Sequence, residues 1–122
     1  MTGGRGARSN PGSPPVQHPL PDELVELIAR RFRALGDPTR IRVLERLRDG
    51  EATVLELAEL TQTTQQNVSK HLNLLLQQGI VGRRRTGAHV AWRIVDDSVF
   101  DLCEHVCGSI RDELDALRAL VG

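Results

Sequence analysis

Apolar and polar residues along this chain recur with a helical period in most segments and with a strand period in one. A first helix is predicted from Pro21 to Gly36, where the apolar run ends. Asp37 followed by Pro38 is typical of a helix start, and a second helix follows as far as Gly50. The apolar positions of these two helices are Leu24, Leu27, Ile28, Phe32, Leu35, Ile41, Leu44 and Leu47.

A helix, a short polar turn and a further helix are predicted next. Thr53-Val54-Leu55-Glu56 fits a capping box, in which the Glu side chain returns to the cap amide, and starts a short helix through Leu60. Residues 61–64 interrupt the apolar pattern, and the following helix runs to about Gln78. Gly79 ends that helix, because glycine tolerates the left-handed conformation found after helix C-termini.

The helix predicted for residues 64–78, with Thr63 or Thr64 as its cap, has two different faces. Its apolar face carries Val68, Leu72, Leu75 and Leu76. Its polar face carries Gln65, Gln66, Ser69, Lys70 and Asn73. Amides, hydroxyls and a cation can bond to base edges in the major groove and to a phosphate, so this face is a candidate for binding duplex DNA.

A β-hairpin and a long helix complete the chain. Residues 80–85 and 88–94 predict two strands joined at Thr86-Gly87, which makes the fold class mostly α with a small β-hairpin. Asp97 or Ser98 is expected to cap the last helix. Its apolar stripe is longer than a domain of this size needs, and consists of Val99, Leu102, Cys103, Val106, Cys107, Ile110, Leu114, Leu117 and Val121.

The composition limits the class of protein. Residues 20–122 predict a single domain, and residues 1–19, rich in Gly, Pro and Ser, predict a disordered tail. The aromatic residues are Phe32, Trp92 and Phe100, too few for the stacking platform of a single-strand binder. The sequence contains neither an apolar run long enough to span a bilayer nor a secretory signal, which predicts a cytoplasmic protein with no membrane partner.

Charge is segregated along the chain, although its 16 basic and 16 acidic residues cancel. Residues 61–94 contain no Asp or Glu and carry Lys70, Arg83, Arg84, Arg85 and Arg93, whereas residues 95–122 are acidic. The positive charge therefore coincides with the predicted helix pair and hairpin. This coincidence favours double-stranded DNA as the partner over the alternative that the polar helix face is merely solvated.

Three segments together carry a family resemblance. They are A-L-G-D-P-T-R-I-R-V-L-E-R-L from residue 34, V-S-K-H-L-N-L-L-L-Q-Q-G-I-V from residue 68, and G-A-H-V-A-W-R-I in the hairpin. They resemble the ArsR/SmtB family of bacterial winged-helix repressors over roughly residues 21–115. The resemblance implies a winged helix-turn-helix that forms a homodimer through additional first and last helices. It also implies a DNA-binding transcriptional repressor, with residues 64–78 in the major groove and the wing, residues 80–94, on the backbone.

The residues expected to contact DNA lie on the polar helix face and in the wing. Strand alternation sends Arg84 to the opposite face from Arg83 and Arg85, so only some of the three are expected to touch phosphate. His71 occupies a position where the family motif also has histidine, and is interpreted as a partly buried residue that reaches the DNA backbone. The full set is Thr64, Gln65, Gln66, Asn67, Ser69, Lys70, His71, Asn73, Arg83, Arg84 and Arg85.

The metal sites that the resemblance would supply are not matched. Metal-binding members commonly use a Cys-containing motif on the helix that corresponds to residues 54–60, and this segment has no cysteine. Others use acids and histidines on the final helix, where this chain has Asp96, Ser98, Ser109 and Asp112. Two carboxylates and two hydroxyls are a poor substitute for imidazoles around Zn or Ni.

Cys103 and Cys107 are the remaining sensor candidates. Four residues apart on one helix, they share a face about 6 Å apart along the axis, on the stripe expected at the dimer interface. Thiolates there would suit a soft metal or metalloid ion, or oxidation. In the alternative interpretation both are small buried hydrophobic residues, and no cofactor is needed.

Three functions remain open. The first is a repressor released from DNA by thiol or metal chemistry at the two cysteines, and the second is a repressor with no effector. The third is a winged-helix module that binds protein. An enzyme is not expected, because the sequence has no Gly-rich phosphate loop, nucleophile elbow or His-Glu-x-x-His motif, and its histidines are scattered.

Overall fold

The computed structural model describes residues 17–121, which form five α-helices and a two-stranded antiparallel sheet. The mostly helical fold with a small hairpin is confirmed. The predicted disordered tail lies outside the described residues except for its last three. The elements are α1 (Asp22–Leu35), α2 (Pro38–Leu47), α3 (Val54–Thr61), α4 (Gln65–Gln77), β1 (Val81–Thr86), β2 (His89–Ile94) and α5 (Ser98–Val121).

The caps predicted for α2 and α3 form as expected. The Asp37 carboxylate accepts a hydrogen bond of 3.0 Å from the amide of Arg40 at the start of α2. The capping box of α3 is complete, because Thr53 N donates to the Glu56 carboxylate at 2.8 Å and Glu56 N donates to the Thr53 hydroxyl at 3.2 Å. Gly79 follows α4 with φ of 73°, as predicted. Local sequence therefore determines where these helices begin and end.

The hairpin turn and the cap of α5 differ from the sequence prediction. The turn of the hairpin comprises Gly87 and Ala88 rather than Thr86 and Gly87, because Thr86 still pairs with His89. The side chain that caps α5 belongs to Asp96 and not to Asp97 or Ser98. Its Oδ1 accepts hydrogen bonds from the amide and the hydroxyl of Ser98, at 3.1 and 2.5 Å. An Asp side chain can accept a hydrogen bond from the amide two residues further along the chain. The sequence alone therefore does not show whether the acid next to the helix or the acid before it provides the cap.

The core lies between α2, α3, α4 and the base of the hairpin, and is almost entirely aliphatic. Trp92 is the large exception, 4% exposed, and its backbone pairs with Ala52 through hydrogen bonds of 2.8 and 3.1 Å. This short bridge fastens the hairpin to the segment before α3. The buried residues are Ala34, Leu35, Val43, Leu44, Leu47, Ala52, Leu57, Ala58, Val68, Leu72, Leu75, Ile80, Val81, Trp92 and Val99.

The last helix, α5, packs on this core only through its first turns. Val99 is buried, and Phe100 and Leu102 pack against the core cluster. Beyond them, the apolar stripe of this helix of about 36 Å is exposed, including Ile110 and Leu114 at 55% and 42%. No helix among residues 17–121 is long and apolar enough to cross a membrane.

Candidate nucleic-acid interface

The apolar face of α4 determines which way its polar face points. Val68, Leu72 and Leu75 are each 0% exposed and pack into the aliphatic core. Truncating one of these leucines to alanine would cost about 2–5 kcal/mol, so the rotation of α4 about its axis is strongly fixed. The opposite face is consequently held towards solvent as a rigid polar surface.

Four side chains on the solvent face of α4 are exposed: Gln65, Gln66, Lys70 and Asn73. Within the described residues they form no side-chain hydrogen bond, so their donors and acceptors are available to a partner. Ser69, between them, is half-buried. Replacing water by base edges and phosphate on such a surface requires no intramolecular contact to break.

Two other predicted contact residues stabilise the turn before α4. Thr64 is the cap, because its hydroxyl oxygen accepts a hydrogen bond of 3.0 Å from the amide of Asn67. The Asn67 side-chain amide donates to the Thr63 hydroxyl at 3.1 Å. These contacts hold the first turn of α4 against the end of α3. Thr64 and Asn67 therefore have a structural role whether or not they also contact DNA.

His71 lies on the inner side of α4 and contacts α2. Arg40 Nη1 donates to His71 Nδ1 at 2.9 Å, and the nearer carboxylate oxygen of Asp37 is 3.9 Å from the same nitrogen. Because a guanidinium can only donate, Nδ1 acts as the acceptor and the ring proton of the neutral form sits on Nε2. The structure thus gives His71 an intramolecular partner that sequence reasoning did not foresee.

Arg84 in the wing is paired with Glu51. Arg84 Nε and Nη2 donate to the two carboxylate oxygens at 3.0 and 2.7 Å, in the two-point arrangement that suits a guanidinium. The hydrogen bond from Arg84 lowers the pKa of Glu51. Arg84 alternates with Arg83 and Arg85 along β1, and it reaches Glu51 whereas Arg83 lies over the Trp92 ring. The Arg84 guanidinium is therefore already paired within the chain.

Arg83 and Arg85 lie on the other face of β1. Arg83 pairs with Trp92 in the register of the sheet, and its guanidinium carbon lies 5.5 Å from the centre of the Trp92 ring. This cation–π contact steadies the side chain and leaves its charge exposed. Arg85 pairs with Val90 and is exposed. These two arginines place two exposed cations on one face of the wing.

Cys103 and Cys107 line one groove, of about 740 Å³, between α5, α1 and α2. Cys103 is half-buried, and burial together with the neighbouring Cys107 raises the pKa of its thiol. Cys107 is exposed, with Arg111 Nη2 at 3.7 Å from its sulfur. The predicted common face of the two cysteines is present within a single protomer.

Within one protomer, the part of the chain that the structure describes holds no group of side chains that fits a metal ion. Among residues 17–121, no three His, Cys, Asp or Glu side chains come together as a metal would require. At the start of α5, Asp96 is already occupied, because Ser98 donates to one of its oxygens and Arg31 Nη1 donates to the other at 2.8 Å. Both oxygens of the Asp96 carboxylate are therefore engaged within the chain.

Comparison with known proteins gives relatives among transcriptional regulators. A family model described as a helix-turn-helix domain matches residues 35–84. The HTH-type transcriptional regulator KmtR of Mycobacterium tuberculosis is 40% identical over 84 residues, which cover 69% of this chain and 65% of KmtR. An uncharacterised HTH-type transcriptional regulator of Methanocaldococcus jannaschii, MJ1325, is 36% identical, with 69% of this chain and 96% of the relative covered.

A solved structure has the same fold. It is the homodimeric winged helix-turn-helix DNA-binding domain of Mb0332 from Mycobacterium bovis, a possible ArsR-family transcriptional regulator. The TM-score is 0.69 at 27% identity, and the match covers 82% of this chain and 95% of that one. Together with the relatives, this match establishes the resemblance seen in the sequence. The chain belongs to the ArsR/SmtB family of winged helix-turn-helix transcriptional regulators.

Proposed function

We propose that this protein is a homodimeric repressor that binds a specific duplex DNA operator through α4 and the wing. The observation that carries the proposal is the rigid polar face of α4, whose exposed amides and Lys70 lack intramolecular partners among the described residues. The N-terminal half of such a helix is the part that reaches base edges in the major groove. This half of α4 contains Gln65, Gln66 and Ser69.

The wing supplies the sequence-independent part of binding. Arg83 and Arg85 share one face of β1, and Lys70 is exposed on α4. Cations at these places would neutralise phosphates and release counterions, so affinity would fall as salt rises. A cytoplasmic location is part of the proposal, because a repressor acts on cellular DNA.

The exposed apolar stripe of α5 supports the dimer. Leu114, Leu117 and Ile110 lie on it beyond the last contact with the core, and Leu27 and Phe32 of α1 are exposed as well. Two copies related by a two-fold axis would cover these faces and place two α4 helices for successive major grooves.

A mobility-shift titration of the purified protein tests the function. Duplexes enriched from a random-sequence pool serve as the operator, and an unselected duplex of equal length serves as the control. We expect tight, salt-sensitive binding to the enriched duplex and weaker binding to the control. Salt-independent binding, or no enrichment of any sequence, would instead favour a protein-interaction module.

Regulation by thiol chemistry is a second proposal, and it is favoured by the shared groove of Cys103 and Cys107. In the dimer, two such pairs would approach the interface between protomers. A soft metal or metalloid ion, or an oxidant, acting on these sulfurs would alter how the α5 helices are held. The competing possibility, an effector-independent repressor, predicts no such response.

A further inference from the structure

Arg31 joins three elements that are far apart in the sequence. It lies on α1, and its Nη2 donates to the carbonyl oxygen of Gln78, the C-cap residue of α4, at 3.0 Å. Its Nη1 donates to Asp96, which caps the start of α5, at 2.8 Å. One guanidinium therefore links both helices that carry the exposed apolar faces to the end of α4.

The Arg31 guanidinium depends on these two acceptors because it is partly buried. Its Nε is buried without a hydrogen-bond partner among the described residues. A partly desolvated guanidinium loses hydration, so the remaining donors depend strongly on the Gln78 carbonyl and the Asp96 carboxylate. Such a contact is expected to be geometrically defined and not a loose surface pair.

Arg40 makes a second link between α1 and α4. Its Nε donates to the carbonyl oxygen of Ala34 at 2.6 Å, and its Nη2 donates to that of Arg33 at 3.1 Å, both in the last turn of α1. Its Nη1 donates to His71, near the middle of α4, at 2.9 Å. The two arginines thus attach α1 to α4 at two separate places.

Two attachment points determine an angle, whereas one determines only a position. His71 and Gln78 are seven residues apart, or about 10 Å along the axis of α4. A relative shift of about 1 Å at one of these points would turn the helix by roughly 6°. Repression by a dimer requires two recognition helices at a spacing that matches one turn of DNA, so a tilt of this kind affects both at once.

The geometry points to Arg31 and Arg40 as a two-point clamp that sets the angle between α4 and the dimerisation helices. The clamp makes both arginines positioning residues for DNA recognition, although neither lies on the DNA-facing surface of α4. This inference rests on the proposed function. It deepens that function by naming the contacts through which a change at the α1 and α5 interface reaches the recognition helix.

The test measures operator affinity, dependence on half-site spacing and binding to unselected duplex. The variants are Arg31→Gln and Arg40→Gln, and the charge-matched controls are Arg30→Gln and Arg42→Gln, at exposed positions of α1 and α2. We expect the clamp variants to remain dimeric and to bind unselected duplex as the controls do. Operator affinity should fall about tenfold, a typical size for coupling between sites.

Half-site spacing gives a result that a general loss of stability would not give. Duplexes are made from the enriched operator with one base pair inserted or removed between its half-sites. The wild type should strongly prefer the original spacing, whereas the clamp variants should discriminate less. The double variant should lose little more than either single variant, because release of one point already frees the angle. Asp96→Asn, which keeps an acceptor for Ser98 but removes the charge facing Arg31, serves if Arg31→Gln does not fold.

Each outcome decides between the proposals. If the wild type binds duplex and the clamp variants match their controls in affinity and spacing preference, the clamp is wrong and the proposed function stands. Equal loss of operator and unselected binding, or dissociation into monomers, would also overturn the clamp. A wild type that binds no duplex overturns the proposed function, and this inference with it.

Discussion

Arg84 of the wing and Glu51, before α3, form a two-point ion pair with donor–acceptor distances of 2.7 and 3.0 Å. Beside it, Ala52 pairs with Trp92 of β2. The wing is therefore held at its base by a side-chain pair and a backbone pair. The three consecutive wing arginines therefore have different roles. Arg84 positions the wing, whereas the charges of the other two face outward.

We predict that the wing arginines differ in their effect on salt dependence. Arg83→Gln and Arg85→Gln should each reduce the slope of log affinity against log salt by about one, because each removes a phosphate contact. Arg84→Gln should leave the slope nearly unchanged and should resemble Glu51→Gln, since either change breaks the same pair. Mobility shifts at several salt concentrations measure the slope. A slope lowered equally by all three arginine changes would contradict this division.

On α4, we predict that Gln66→Ala and Ser69→Ala reduce discrimination between operator and unselected duplex. Loss of a base contact costs about 1–3 kcal/mol for the matched sequence and little for the others. Gln77→Ala is the matched control, because it removes an exposed amide at the far end of the same helix. Competition binding with the two duplexes gives the ratio of the affinities for operator and unselected duplex. An equal loss from Gln66→Ala and Gln77→Ala would show that the N-terminal half of α4 has no special role.

The exposed stripe of α5 gives a prediction about assembly. Leu114→Glu and Ile110→Glu place a charge where a dry dimer interface is proposed, at a cost of several kcal/mol, and should produce monomers. His105→Glu adds the same carboxylate at an exposed position outside the stripe and should leave the dimer intact. Sedimentation velocity distinguishes the two species. An unchanged dimer in the Leu114 and Ile110 variants, or a monomeric wild type at micromolar concentration, would refute the interface.

If the cysteines regulate the protein, replacing them should remove the response to oxidant or metal and leave DNA binding intact. A Cys103→Ser, Cys107→Ser double variant should dimerise and bind operator as the wild type does. It should no longer be released by hydrogen peroxide, trivalent arsenic or a soft metal ion, because the sulfurs that react are gone. Mobility shifts with and without each agent test this. A wild type whose binding is the same when reduced, oxidised or exposed to these agents would show that both cysteines are packing residues.

The loss of folding stability at low pH should depend on Asp96. Partial burial raises the pKa of this carboxyl, but hydrogen bonds from Ser98 and the Arg31 guanidinium outweigh burial and lower the pKa below the ordinary value of 3.8. A group with a lowered folded-state pKa stabilises the fold above its unfolded pKa and loses that contribution as pH falls through the folded pKa. Asp96→Asn should therefore reduce the melting temperature at neutral pH and change it little in strong acid. A constant difference at all pH values would contradict this origin.

Local signals in the sequence predicted the elements well. The Asp37-Pro38 start, the Thr53–Glu56 capping box and Gly79 act within one turn of the chain, so their effect can be predicted from neighbouring residues. The buried face of α4 was likewise predicted from its period.

The contacts of the site could not be predicted in the same way. Arg31 and Asp96 are 65 positions apart, Arg40 and His71 are 31 apart, and Arg84 and Glu51 are 33 apart. No local pattern specifies which acceptor a long arginine side chain will find, since that depends on how the helices pack. Residues 61–94 contain no acid, so the acid that pairs with Arg84 comes from outside this stretch, at Glu51.

The exposed apolar stripe of α5 should make the stability of the protein depend on its concentration. In the proposed dimer this apolar surface is covered by another copy, so folding and assembly would belong to one equilibrium. Its melting temperature should then rise with protein concentration, as mass action requires. At low abundance the chains would be lost to proteolysis or aggregation before they pair. Repression would accordingly appear above a threshold of expression and not in proportion to it.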